Sequence, residues 1–194
     1  MNIKYYILVG LSLFVFASCD EQDDAIDEFA DWKNKNDQYF ETAFLSHDYD
    51  VALRKYSLGD DADTQHTDYV LVEMLDNEDG APEAMPYLTD TVLVHYVGRL
   101  IPSPSFSEGY QFDQSYLPPF DWDTAVPSKF ALNTLTAGFS TALQKMHRGD
   151  HWMVMIPYQL GYGTSDYNDI PAYSTLIFEI LLEDFWTKEK GDRY

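Results

Sequence analysis

Cysteine is all but missing from this 194-residue chain, which has one, Cys19. A lone cysteine closes no internal disulfide, so none is expected to brace the fold. Basic residues are scarce as well: 12 Lys+Arg stand against 33 Asp+Glu, a formal net charge of −21. A surface of that sign repels nucleic acid and anionic lipid, and nucleic acid is not expected as a partner. Long apolar runs are also lacking. The longest, "ILVGLSLFVFA" from Ile7 to Ala17, is too short to cross a bilayer as a helix and has the length of a signal-peptide core. No glycine-rich phosphate loop follows a strand, and "DNEDG" and "GDDAD" lack the spacing of a calcium loop. His147 and His151 are separated by a helix-ending Gly149, so they do not share a helical face as zinc ligands would. No cofactor or metal is expected. What the chain does carry is aromatic: 15 Tyr, 12 Phe and 4 Trp, enough for a core with aromatic walls to spare.

The apolar run leads straight to the single cysteine. Phe16-Ala17-Ser18-Cys19 resembles a bacterial lipobox, in which the Cys is acylated and begins the mature chain. An ordinary secretory signal with a chance Cys, or an uncleaved anchor, would use the same run. Residues 1–18 are therefore expected to be a signal peptide and Cys19 the lipidation site. Multiple acyl chains would hold the protein at a membrane where one would not. The acidic run "DEQDDAIDE" follows at once. It resembles the run by which some Gram-negative bacteria send lipoproteins to the cell surface, and it also fits a plain disordered tether. An outer-membrane lipoprotein exposed at the cell surface is expected, with the periplasmic face as the alternative.

Residues 19–67 read as this acidic tether and an N-terminal helix from Ala25 to Ser46. Phe29, Trp32, Tyr39, Phe40, Ala43 and Phe44 are spaced for one broad apolar face, a candidate surface for self-association. "YVLVEML" (Tyr69 to Leu75) and "DTVLVHYVGRL" (ending at Leu100) read as strands, and a short strand is expected near Phe130. In "TAGFSTALQKMHRG", Phe139, Ala142, Leu143 and Met146 fall at i, i+3, i+4 and i+7, with Gly149 placed as a left-handed stop. "HWMVMIPYQL" and "STLIFEILLEDFW" are two further β-rich runs. Strands, one helix, then strands predict an α+β fold, an antiparallel β-sheet wrapped around one central helix with an N-terminal helical extension. The domain is expected over 68–186, with a polar tail at 187–194, and should fold without residues 20–60.

Five fragments then occur in order: "HYVG", "FDQS", "GFSTALQKMHRGD", "IPYQLGYG" and "IPAYSTLIFEI". Each is short, but together they resemble the FKBP-type peptidyl-prolyl isomerases from about Asp90 to Asp184. The resemblance implies an FKBP-like fold, isomerase activity on proline-containing polypeptide clients and, with the N-terminal signals, a membrane-anchored aid to the folding of exported proteins. The chemistry suits aromatic residues. Rotation about X-Pro faces a barrier of about 18–20 kcal/mol from amide resonance. The planar amide is more charge-separated than the twisted one, so a dry apolar pocket disfavours the ground state, with no nucleophile or metal required.

Carried over by position, Tyr96, Phe112, Asp113, Phe139, Tyr162 and Phe178 would form the catalytic walls. Leu135, Thr136 and Ile170 would bind substrate. Tyr162 would donate its hydroxyl to a substrate carbonyl, as would the backbone N–H of Thr136. Tyr162 and Ile170 would flank the loop "TSDYND" over the pocket mouth. Phe112, Leu135, Phe139 and Phe178 also sit where any small barrel-like sheet needs core. Asp113 is more informative, since a carboxylate beside an apolar run is costly to bury alone, and the Tyr96 hydroxyl is its expected partner.

The chain departs from the family pattern at three places. The floor position, usually Trp, is Phe139; a nearby Ile is Thr136; and the loop between Ser115 and Phe130 has no Arg for the pocket carboxylate. Two loops, "IPSPSFSEG" and "YLPPFDWDTAVPSK", are long, and the second brings Phe120 and Trp122 toward the pocket as a packed lid or extra contact surface. The loop from Gly163 to Ile170 is too short for the chaperone flap of some relatives. Two rival functions follow: a weak or inactive proline-binding module, and a subunit of a surface complex.

Overall fold

The computed structural model describes residues 27–59, 61–76, 84–117, 119, 121 and 124–187. Cys19, residues 20–26 of the acidic run, Phe120 and Trp122 lie outside the described residues. The elements in chain order are α1 (Trp32–Ser46), β1 (Val51–Arg54), β2 (Tyr69–Asp76), β3 (Asp90–Leu100), β4 (Gln111–Gln114), β5 (Ser128–Ala131), α2 (Ala137–Leu143), β6 (His151–Ile156) and β7 (Leu176–Thr187). They build the expected α+β arrangement. One seven-stranded antiparallel sheet runs β1-β2-β6-β7-β3-β4, with β5 sharing the β4 edge of β3.

β3 and β7 form its spine, paired from Asp90↔Thr187 to Leu100↔Leu176 with one bulge between Leu93 and Val94. Both are nearly continuous apolar runs, as strands buried in mid-sheet should be. β6 alternates instead: Trp152, Val154 and Ile156 point into the core and the residues between them stay partly exposed. The inward face packs on α2, whose residues Gly138 to Leu143 are all buried. Gly138 permits that approach, because a Cβ there would lie 2.3 Å from Ile156 Cγ2. The polar residues of this buried helix find internal acceptors: Ser140 Oγ donates to the Leu132 carbonyl at 2.9 Å and Thr141 Oγ1 to the Ala137 carbonyl at 2.7 Å.

The structure corrects five expectations. The N-terminal helix starts at Trp32, not Ala25, since Asp31 adopts a left-handed φ of 54° and Asp27 Oδ1 caps the Phe29 N–H in a preceding turn. Its buried stripe is Trp32, Asn36 and Phe40, narrower than predicted, while Phe29 and Tyr39 are exposed. α2 ends at Leu143, and the Met146 N–H closes a tighter turn on Leu143. Gly149 is left-handed at φ 89°, but its N–H bonds the Leu182 carbonyl, so it leads the chain into β6 rather than stopping the helix. Finally, β1 lies upstream of residue 68 and joins the sheet through β2, Val51 opposite Val72.

The N-terminal segment is seated on the same core. Trp32 Nε1 donates to Ser174 Oγ at 2.8 Å, and the fully buried Asn36 accepts the Thr175 N–H at 2.7 Å while donating to the Trp32 carbonyl. These contacts hold the chain just ahead of β7.

Candidate active site

Strand register sets the site. Gly98 on β3 pairs with Phe178 on β7 and with Asp113 on β4, so one line across the sheet carries all three. Gly98 has no side chain for a physical reason: a Cβ there would lie 2.6 Å from Phe178 and 2.7 Å from Phe112. The space it leaves lets those two rings meet edge to face at 5.5 Å. Two residues back, Tyr96 is fixed in both directions by Ser115, whose Oγ accepts the Tyr96 N–H at 2.8 Å and whose N–H bonds the Tyr96 carbonyl at 2.9 Å.

A half-open cavity of about 340 Å³ sits over this line. Its floor is Phe139, in the first turn of α2, packed edge to face on Phe178 at 4.9 Å and on Tyr96 at 6.1 Å. Leu135 and Thr136 come from the segment entering α2, Tyr162 from the loop after β6, and Asp113 from β4. At the rim the Tyr96 hydroxyl donates to Asp113 Oδ2 at 2.8 Å, the partnership the sequence predicted. Asp113 itself is exposed rather than sunk beside the apolar run, and its other oxygen accepts the Gln114 N–H at 2.8 Å.

Burial pushes the Tyr96 phenol well above its ordinary value, and the hydrogen bond and charge of Asp113 push the same way. The Tyr162 phenol is also raised, chiefly by burial and then by Tyr167 and Asp113. Both therefore stay protonated and able to donate at neutral pH. The cavity offers apolar walls, two phenols and one carboxylate.

Seven of the nine candidates line this cavity, and the other two, Phe112 and Ile170, have different duties. Phe112 stands behind the wall, buttressing Phe178, and is not part of the cavity lining. Ile170, buried at 4% exposure, faces an adjacent groove instead of the cavity; its backbone exchanges two 2.9 Å hydrogen bonds with Tyr167 and so pins the loop. The sequence reading missed Phe130, Thr134 and Tyr167, all of which line the cavity. Tyr167 lies flat on Tyr162 at 4.3 Å and 8°. It sits in an exposed polar loop with no periodicity, so only its being aromatic could have flagged it.

The sequence profile described as FKBP-type peptidyl-prolyl cis-trans isomerase matches residues 83–183, just over half of the 194-residue chain. The chain is 36% identical over 113 residues to the macrophage infectivity potentiator of Trypanosoma cruzi, covering 58% of this chain and 52% of that protein. It is 37% identical over 100 residues to the FKBP-type 22 kDa peptidyl-prolyl cis-trans isomerase of Escherichia coli K12, covering 51% and 43%. The chain thus spans about half the length of the curated relatives it matches. Among solved structures, a peptidyl-prolyl cis-trans isomerase from Pseudomonas syringae aligns with a TM-score of 0.52 at 26% identity, over 79% of this chain and 95% of that one. Escherichia coli FkpA aligns with a TM-score of 0.57 over 82% and 63%, a likeness of fold at 23% identity. This chain belongs to the FKBP-type peptidyl-prolyl cis-trans isomerase family.

Proposed function

We propose that this protein is a peptidyl-prolyl cis-trans isomerase that acts on proline-containing segments of exported polypeptides while anchored to the outer membrane through a lipid on Cys19. The observation that carries the reading is the aromatic cavity with the Tyr96–Asp113 pair at its rim. A proline ring enters against Phe139 and Phe178, and water leaves. The planar X-Pro amide loses the solvation that favours it, so the barrier to the twisted state falls. The Tyr162 hydroxyl and the Thr136 N–H hold the flanking carbonyls, and no bond to the protein forms.

A second reading keeps the pocket and drops the turnover. Phe139 gives a smaller floor than the usual Trp, and the described partners of Asp113 are Tyr96 and Gln114, with no arginine between them. A proline-limited refolding assay separates the two: catalysis of the slow phase, otherwise about tens to hundreds of seconds, supports the isomerase, and an unchanged phase supports the binding module. A pull-down from a membrane fraction tests the third reading, a surface-complex subunit, which requires stable co-purifying partners. Anchoring is tested by metabolic labelling with a fatty acid. Cys19→Ser should abolish the label and leave the precursor unprocessed, and protease accessibility on intact cells should distinguish the outer face from the periplasm.

A further inference from the structure

The end of α2 away from Phe139 borders a second and larger cavity, a groove of about 940 Å³. Its basic wall is Arg54, Lys55, Lys145 and Arg148, four cations gathered in a chain with 12 Lys+Arg against 33 Asp+Glu. Among the described residues one acid lines it, Asp90, which is 2% exposed and committed through Oδ2 to the Tyr87 N–H at 2.9 Å. Over that wall stand Tyr56, Met85, Tyr87 and Trp186, all exposed, Tyr87 at 73%.

The groove is built into the fold. The Tyr56 N–H reaches Thr141 Oγ1 of α2 at 3.3 Å, holding the end of β1 against the helix. Arg148 pairs with Asp184, donates to the Phe185 carbonyl at 2.9 Å and lies over the Phe185 ring at 4.6 Å. Lys55 and Lys145 have no ion-pair partner among the described residues. A concave site that gathers cations on an acidic protein, under an aromatic rim, is complementary to a chain that alternates carboxylates with apolar side chains.

We propose that this groove binds an acidic, partly apolar segment of the client polypeptide and so gives the enzyme a second attachment point. Six residues of β3 separate Asp90, at the groove, from Tyr96, at the proline cavity, roughly 20 Å at strand rise. A client held at the groove presents its prolines to the cavity at a raised effective concentration. The role in catalysis rests on the isomerase reading, whereas the binding itself does not.

The probe is a labelled proline-free peptide rich in Asp, Glu and Leu, titrated into the full mature protein by fluorescence anisotropy. Saturable binding is expected, weakened by added salt and weakened about tenfold or more by Lys55→Glu/Lys145→Glu. Lys55→Gln/Lys145→Gln should weaken it less, and matched thermal midpoints show that both variants fold. Joined to a proline segment, the acidic peptide should lower KM in wild type, and the Glu variant should raise KM without changing kcat or turnover of a short proline peptide. Absent binding, or binding indifferent to charge reversal, overturns the proposal. So does binding seen only after Glu78, Asp79 and Glu83 are neutralised, since the chain's own linker would then be the occupant. If the isomerase reading alone is wrong, proline peptides show no turnover while the acidic peptide still binds.

Discussion

Tyr96 on β3 and Asp113 on β4 meet through a 2.8 Å hydrogen bond at the rim of the aromatic cavity. The bond ties a strand interior to a strand edge and points one carboxylate oxygen at the site. Tyr96→Phe and Asp113→Asn should each cost about 0.5–1.5 kcal/mol of stability, and the double variant should cost less than their sum. A denaturant double-mutant cycle measures the coupling. Additive costs would mean that the pair contributes nothing to holding the rim.

The floor is the next point of leverage. Phe139→Trp extends the apolar surface into the cavity from a ring already packed on Phe178 and Tyr96. A gain of about 1 kcal/mol in the transition state corresponds to a several-fold faster refolding catalysis. Tyr162→Phe should act in the opposite sense, with a loss of about 1 kcal/mol from one missing donor. If wild type and both variants all match the uncatalysed rate, the isomerase reading fails.

Asn36 joins the N-terminal helix to the segment before β7. Asn36→Leu fills similar space but leaves the buried Thr175 N–H without its acceptor, at a cost of about 1–3 kcal/mol. A fragment beginning at Asp68 removes that contact together with β1. It should keep a cooperative unfolding transition, as a 68–186 domain requires, at a midpoint clearly below that of the longer chain. A molten fragment would place α1 and β1 within the domain.

The phenols set an alkaline limit. Tyr96 and Tyr162 are both raised above the ordinary 10.0, so the folded state holds their protons more tightly than the unfolded chain does. Their contribution to stability is therefore complete below about pH 10 and is lost as pH climbs through the folded values. Catalysis should show no tyrosine ionisation between neutrality and pH 9, and thermal midpoints should fall above pH 10. Tyr96→Phe should flatten that fall. An ultraviolet titration with an early phenol step assigned to Tyr96 would contradict it.

The sequence by itself determined the spine of the sheet, the buried helix and most of the pocket wall. Largely apolar, β-rich runs specified β3, β6 and β7, and five ordered fragments marked Tyr96, Asp113, Phe139, Tyr162 and Phe178. Those signals are local, because each depends on the period of side chains along one stretch of chain. Tertiary structure alone decided the rest. β1 is four residues without alternation, and it is a strand only because β2 offers an open edge. Asn36 is polar in the buried stripe of α1 because a backbone N–H, 139 residues away in sequence, needs an acceptor there. Tyr167 belongs to the cavity because the bond pair to Ile170 folds its loop back over Tyr162. The basic groove has no linear signature at all. Its cations come from β1, from the turns after β1 and from those after α2, and only the packing of β1 against the end of α2 makes them neighbours.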